Sequence, residues 1–219
     1  MRRIFAATGV LFALFLASYL LFAALGILTP DATESWLSSL APAAAVLAVA
    51  GLLAADILLP VPGSIVLSAG GIVLGWPVAT AAGTAGLVLG SLAGYGACRR
   101  FGRRAFERFV TPEEAARFGH WLEHYGPVAL IVSRPVPMMS ETLACLAGLG
   151  GMGVLRFLVA LLLGAAPYAW FFAWAGDRLG RVREEPGLAL LVALAVPALY
   201  WLLFAVFARR AARRRRAAD

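Results

Sequence analysis

The sequence predicts an all-α integral membrane protein built as an inverted-topology repeat. Each half is expected to be a re-entrant helical hairpin followed by a transmembrane helix, with further spans flanking the repeat at both ends. Three observations carry this expectation. The 219 residues are 62% hydrophobic with a mean hydropathy of +0.85, too apolar for a soluble domain of this size. Two Pro-x-Pro tripeptides, Pro60-Val61-Pro62 and Pro135-Val136-Pro137, interrupt long apolar stretches. Ionisable residues stand beside each break: Asp56 before the first, Arg134 and Glu141 on either side of the second. Proline removes a backbone donor and clashes with the preceding helical turn. Broken backbone at membrane depth is tolerated only where protein buries it or where it lines a wet cavity. A charge there costs about 2.5–3.5 kcal/mol even on mild insertion scales.

Residues 4–28 form a first apolar run behind Arg2-Arg3. It is too long for a signal-peptide core and reads as a retained span. A short polar loop with Asp31 and Glu34 follows. Residues 40–76 are long enough for two passes but are broken by Asp56, Pro60, Pro62, Gly63 and Gly70-Gly71, which predicts a hairpin returning to its own side. Residues 77–98 form an uninterrupted span. Its Gly86-x-x-x-Gly90-x-x-x-Gly94 series is either a ridge for close helix approach or chance spacing in an Ala/Gly-rich helix. Residues 99–125 are the one long polar segment, opened by arginines and then by Thr111-Pro112-Glu113-Glu114, a helix-start pattern. Phe118, Trp121, Leu122 and Tyr125 recur at helical spacing there, which predicts an amphipathic helix at the cytoplasmic interface. His120 and His124 share a face but lack a third ligand, so no metal site is expected. Residues 128–151 are the second broken segment, 154–176 a span with Arg156 near its start and Pro167 inside, and 177–187 a short loop. Residues 188–207 are the last span, before a basic tail at 208–219.

All 19 basic residues are arginine and the net charge is +7. The arginines cluster beside apolar segments, as the positive-inside rule and anionic headgroups require. With no recognition motif, nucleic acid is not an expected partner. The arginine counts place both termini and the 99–117 loop in the cytoplasm. Cys98 and Cys145 have no metal spacing and read as small buried hydrophobes.

The halves align with one another. A shift of 75 superposes the two Pro-x-Pro motifs. A shift of 78 superposes Gly70 on Gly148, Gly75 on Gly153, Gly86 on Gly164 and Gly102 on Gly180. A three-residue insertion in the second loop reconciles them. With the arginine-based topology, the first hairpin enters from outside and the second from inside, an arrangement common in secondary transporters.

At this point the residues resemble a known family. Asp56-x3-Pro60-Val61-Pro62-Gly63-Ser64 with Gly70-Gly71, and Ser133-Arg134-Pro135-Val136-Pro137 with Ala147-Gly148 and Arg156-Phe157, are similar to the two re-entrant motifs of the DedA family in the VTT-domain superfamily, also called SNARE-associated Golgi proteins. The likeness covers about residues 53–180, with one repeat at 53–102 and the other at 128–180, within a single membrane domain of residues 1–219. It implies a divergent bacterial member in the cell (inner) membrane that moves lipids between leaflets, polyprenyl phosphate or phospholipid, with activity linked to the proton gradient. Asp56 and Arg134 match the family's first membrane acid and first essential arginine. Ser64 stands where many members have an acid, and Ser140, followed by Glu141, where many have a second arginine.

Asp56, Glu141, Arg134, Ser64 and Ser140 are therefore the expected substrate and proton pathway. Pro60, Pro62, Gly63, Gly70, Pro135, Pro137 and Gly148 form its re-entrant frame. The expected partners are membrane lipids with an anionic or phosphate-bearing headgroup, and protons; a homo-oligomer is left open. Arg134 pairing with Asp56 or Glu141 purely to hold the hairpins together is compatible with this role. Neither a cofactor nor an enzymatic step is expected, since no zinc, Ser/His or paired-aspartate motif is present. Two other readings stay open: a proton-coupled transporter of a small solute or ion, and a non-transporting membrane-organising protein.

Overall fold

The computed structural model describes residues 30–57, 61–102, 111–134 and 139–181. The expected spans at 4–28 and 188–207, the basic tail, Arg103–Arg108, and the prolines Pro60, Pro135 and Pro137 lie outside the described residues. The chain divides after Arg178 into two compact units, and the description below concerns the first. The described residues form helices and their connections, with no strand among them.

The helices are α1 (Pro30–Ser38), α2 (Pro42–Ala55), α3 (Gly63–Leu74), α4 (Trp76–Ala97), α5 (Pro112–Val132), α6 (Met139–Leu149) and α7 (Val154–Arg181). A π-helical turn, Cys98–Gly102, continues α4. Among the described residues two helices are long and apolar enough to cross a bilayer, Trp76–Gly102 with 27 residues and Val154–Arg178 with 25. By contrast α2 has 14 residues, α3 has 12 and α6 has 11, each short of the roughly 20 that a crossing needs.

The sequence reading is corrected in several places. The Asp31–Glu34 region is a helix, α1, with Pro30 and Asp31 in its first turn, where proline and an acid are both favoured. Its Leu37 and Thr33 are buried. The amphipathic segment and the first arm of the second broken segment are one helix, α5, with Pro127 inside it. The face carrying Phe118 and Leu122 packs into the protein core, while Trp121 and Tyr125 point outward. Helix α7 continues past Gly176 to Arg181, so Asp177 is helical and buried rather than in a loop.

The two arms of each broken segment pair antiparallel. In the first, Gly63 lies against Leu53, with only 3.2 Å from its Cβ position to the leucine Cδ2, and Gly70 lies 3.1 Å from Val49 Cγ2. In the second, Gly119 of α5 faces the Gly150 carbonyl just beyond α6 at 3.4 Å. The first short helix is closed by Gly75 (φ 77°), the second by Gly151 (φ 76°), a left-handed conformation that glycine adopts at little cost. Gly75 alone joins α3 to α4, whereas residues 150–153 join α6 to α7. The positive-φ glycine of this second connection is Gly151, not Gly153.

Helix α4 is the axis on which the halves meet. Its glycine series is a packing ridge: a Cβ on Gly86 would overlap the Ala50 carbonyl, one on Gly90 would come within 2.7 Å of the Ala54 carbonyl, and one on Gly94 within 2.7 Å of Ile57 Cδ1. Successive turns of α2 and α4 thus advance side by side in the same direction. Helix α6 also runs with α4, since Cys145 Sγ lies 3.9 Å from the Gly94 carbonyl and Gly148 faces Tyr95 and Arg99. Tyr95 Oη–H and Arg99 Nη1–H both donate to the Met152 carbonyl, which ties the α6–α7 connection to α4. Helix α3 packs in the same close manner on α7, where Gly71 abuts the Ala173 backbone and Gly176 abuts Ser68.

Two apolar clusters result. One gathers α1–α4 and takes Ala165 and Ala169 from α7. The other gathers α5–α7 and takes Tyr95 from α4.

The ridge makes a stability prediction. Gly86→Ala pushes a methyl into the Ala50 backbone, which cannot yield cheaply, and should destabilise the protein by about 1–3 kcal/mol. Gly51→Ala, with nothing within 4 Å of its Cβ position, should be neutral or slightly stabilising, because alanine is the better helix former. Thermal unfolding of the two variants in detergent, followed by tryptophan fluorescence, checks the contrast.

Candidate functional site

The first break is built around one hydrogen bond. In Pro60-Val61-Pro62 only Val61 has a backbone N–H. That N–H donates to Asp56 Oδ1 at 3.0 Å. Helix α2 has just ended at Ala55, so Asp56 caps the broken chain from the last turn. Beyond it, the Pro62 carbonyl accepts from Ile65 N–H at 2.9 Å and starts α3. Asp56 is half-buried, with one oxygen spent on the backbone.

The second break brings two charges. Ser133 closes α5 by donating its Oγ–H to the Leu130 carbonyl at 2.9 Å, and Arg134 follows directly. The arginine is only 7% exposed. Its Nη2 donates to Ser91 Oγ on α4 at 3.2 Å. Glu141 sits in the first turn of α6, where the helix dipole favours an anion. Ser140 Oγ–H donates to Glu141 Oε1 at 2.6 Å. The other oxygen, Oε2, is buried and makes no hydrogen bond.

These groups meet at one recess. The first hairpin contributes Leu53, Asp56 and Ile57, α4 contributes Leu87, Gly90 and Ser91, and the second hairpin contributes Arg134 and Glu141. Both Glu141 and Arg134 lie within electrostatic reach of Asp56. The space is small, close to what one water requires. A guanidinium and two carboxylates therefore share a narrow polar pocket whose apolar wall belongs to the first cluster through Leu53 and Leu87. Burial of such groups is tolerable only when they partner one another or a ligand.

Of the expected site residues, Asp56, Arg134 and Glu141 converge, and Ser140 joins them by bonding Glu141. Ser64 is in the first turn of α3 and does not line the recess. Gly63, Gly70 and Gly148 are packing positions, and Pro62 starts a helix. Arg156 is exposed. Cys98 and Cys145 are both free thiols, the first half-buried and the second buried. On α5, His120 and His124 lie with ring centroids 4.5 Å apart, outside the recess.

Ser91 is the site residue that sequence reasoning missed. One signal pointed to it: it adjoins Gly90 in the ridge that draws α4 onto the end of α2, where Asp56 stands. Asp177, 6% exposed within α7, is a second buried acid at a position where the sequence predicts a loop.

Comparison with curated proteins yields no match, and neither does comparison with solved structures. The sequence profile of the VTT domain matches residues 61–178. The matched segment begins inside the first break, takes in α3 to α7, and includes Ser91, Arg134 and Glu141; Asp56 precedes it. It covers more than half of the chain, and its apolar helices suit a family of membrane proteins. The chain thus belongs to the VTT-domain family, the domain of the DedA and SNARE-associated proteins.

Proposed function

We propose that this protein is a membrane lipid transporter, a scramblase or flippase for a polyprenyl phosphate or a phospholipid, coupled to protons and acting without a chemical step on its substrate. The observation that carries the reading is the convergence of Asp56, Arg134 and Glu141 on one recess from two separate breaks. A guanidinium that is always charged suits a lipid phosphate, and carboxylates in a wet membrane cavity are suited to carry protons. The recess in this arrangement holds about one water, so a headgroup enters only if the hairpins move apart. Movement of that kind is the basis of alternating access.

The second part of the proposal is topological: the two broken segments are re-entrant hairpins of opposite orientation. Helix lengths support it, since α2, at 14 residues, extends only about 21 Å at 1.5 Å per residue. Helix directions support it as well. Helix α2 runs with α4, α4 runs with α6, and α5 runs against α6, so the entering arms α2 and α5 point opposite ways. In this proposal the protein sits in a bacterial inner membrane with both termini in the cytoplasm. Lipids with an anionic headgroup and protons are its partners.

The water-sized recess also favours a second reading, a proton-coupled transporter of a small solute or ion.

Two experiments test this proposal. In proteoliposomes, Arg134→Ala should slow lipid translocation by about tenfold or more, the scale of a lost charged hydrogen bond, and Asp56→Asn and Glu141→Gln should weaken its dependence on a proton gradient. Wild-type rates in all three variants would remove the site assignment, and substrate-driven proton uptake without lipid movement would favour the second reading. For topology, Ser39→Cys and Arg117→Cys, each in a background lacking Cys98 and Cys145, can be labelled with an impermeant maleimide on intact cells. Ser39→Cys should label at once and Arg117→Cys only after permeabilisation; labelling from the same side would contradict opposed hairpins.

A further inference from the structure

We infer that Ser91 is a positioning residue for the phosphate-binding site, an inference that rests on the lipid-transport reading above. Serine within a helix ordinarily spends its hydroxyl on a carbonyl three or four residues back. Five other hydroxyl residues in or just beyond helices do so: Ser35 to Ala32 at 3.0 Å, Ser38 to Glu34 at 2.8 Å, Ser39 to Trp36 at 2.7 Å, Thr80 to Trp76 at 2.6 Å and Ser133 to Leu130 at 2.9 Å. Ser91 does not. Its Oγ instead accepts a hydrogen bond from Arg134 Nη2 at 3.2 Å, although it is buried to 8% exposure in the middle of α4.

A hydroxyl has one donor and two acceptor positions. With an acceptor position filled by Arg134, the Ser91 O–H remains to be donated. Ser91 lines the recess, and the other groups there ask for a donor: Glu141 Oε2 is buried without a hydrogen bond, and Asp56 shares the same space. One side chain thus performs two tasks. It fixes one face of the guanidinium against α4, and it offers a neutral donor to whatever oxygen occupies the recess.

When the hairpins part and a phosphate enters, Arg134 and Ser91 together present a charged and a neutral donor to neighbouring phosphate oxygens. Placing Ser91 on the spanning helix α4, rather than on either hairpin, keeps this donor still while the hairpins move. No covalent step is involved. The chemistry recognised is a phosphate monoester or diester at the end of a lipid, and the substituent beyond the phosphate is not read by this pair.

The test uses the full-length protein with Ser91→Ala, Ser91→Thr and Arg134→Ala. The rate of phosphatidylglycerol translocation in proteoliposomes is measured against its mole fraction. Ser91→Ala should raise the half-saturating mole fraction about tenfold while leaving the maximal rate unchanged. Ser91→Thr, which keeps the hydroxyl, should restore the wild-type value to within about twofold. A fall in maximal rate alone, wild-type behaviour of Ser91→Ala, or failure of threonine to rescue would overturn the inference.

A second measurement does not depend on transport. Glycerol phosphate is titrated into detergent-solubilised protein and the rise in melting temperature is followed. Half of the effect should require about tenfold more ligand in Ser91→Ala and should vanish in Arg134→Ala. If Arg134→Ala fails in both assays while Ser91→Ala matches the wild type, only the role of Ser91 is lost. If Arg134→Ala also matches the wild type, or the wild type neither moves lipid nor responds to glycerol phosphate, the lipid-transport reading falls and the Ser91 inference falls with it.

Discussion

A guanidinium buried among apolar helices cannot stand alone. Arg134 is almost wholly enclosed, and the cost of holding its charge away from water is offset only by groups brought to it from elsewhere in the chain. Those groups include three from elements far apart in sequence: Ser91 on α4, Asp56 at the end of α2, and Glu141 at the start of α6. The remainder of the described architecture can be read as what is needed to bring them within reach.

Close approach is the means. The apolar surroundings supply little directional preference, so helix association depends on fit and on the few polar contacts. Glycines on α4 let α2 settle against its backbone, and Gly148 lets α6 do the same on the next face. Helix α4 therefore carries both hairpins, and the recess opens where their breaks lie side by side. The Tyr95–Arg99–Met152 hydrogen bonds hold the second hairpin's exit to the same helix. The polar site is framed by close packing, and the recess left between the helices is about the size of one water.

The sequence signals that proved legible were those with a local physical cause. Prolines beside a charge marked the two breaks because no continuous helix accommodates them. The glycine series read as a ridge or as chance, and the structure places backbone against it. Other features were hidden because their cause is not local. Helix α1 is short and its burial depends on α3, so its polar residues read as a loop. Asp177 read as a loop residue because a charge commonly ends a span, yet α7 carries it through as a buried side chain. Ser64 read as a site residue from its place in the motif, but the start of α3 does not line the recess.

The amino-acid sequence alone determined that the chain is an apolar, helical membrane protein of the VTT-domain family, broken twice, with Asp56, Arg134 and Glu141 beside the breaks. Composition, proline chemistry and motif spacing suffice for that, since each acts within a few residues. Only the tertiary structure decided that these charges share one recess, that Ser91 faces Arg134, and that Glu141 keeps one oxygen without a hydrogen bond. The reason is physical: a contact across 43 residues of sequence, as between Ser91 and Arg134, is set by which helices can approach one another, and that depends on every side chain along both faces at once.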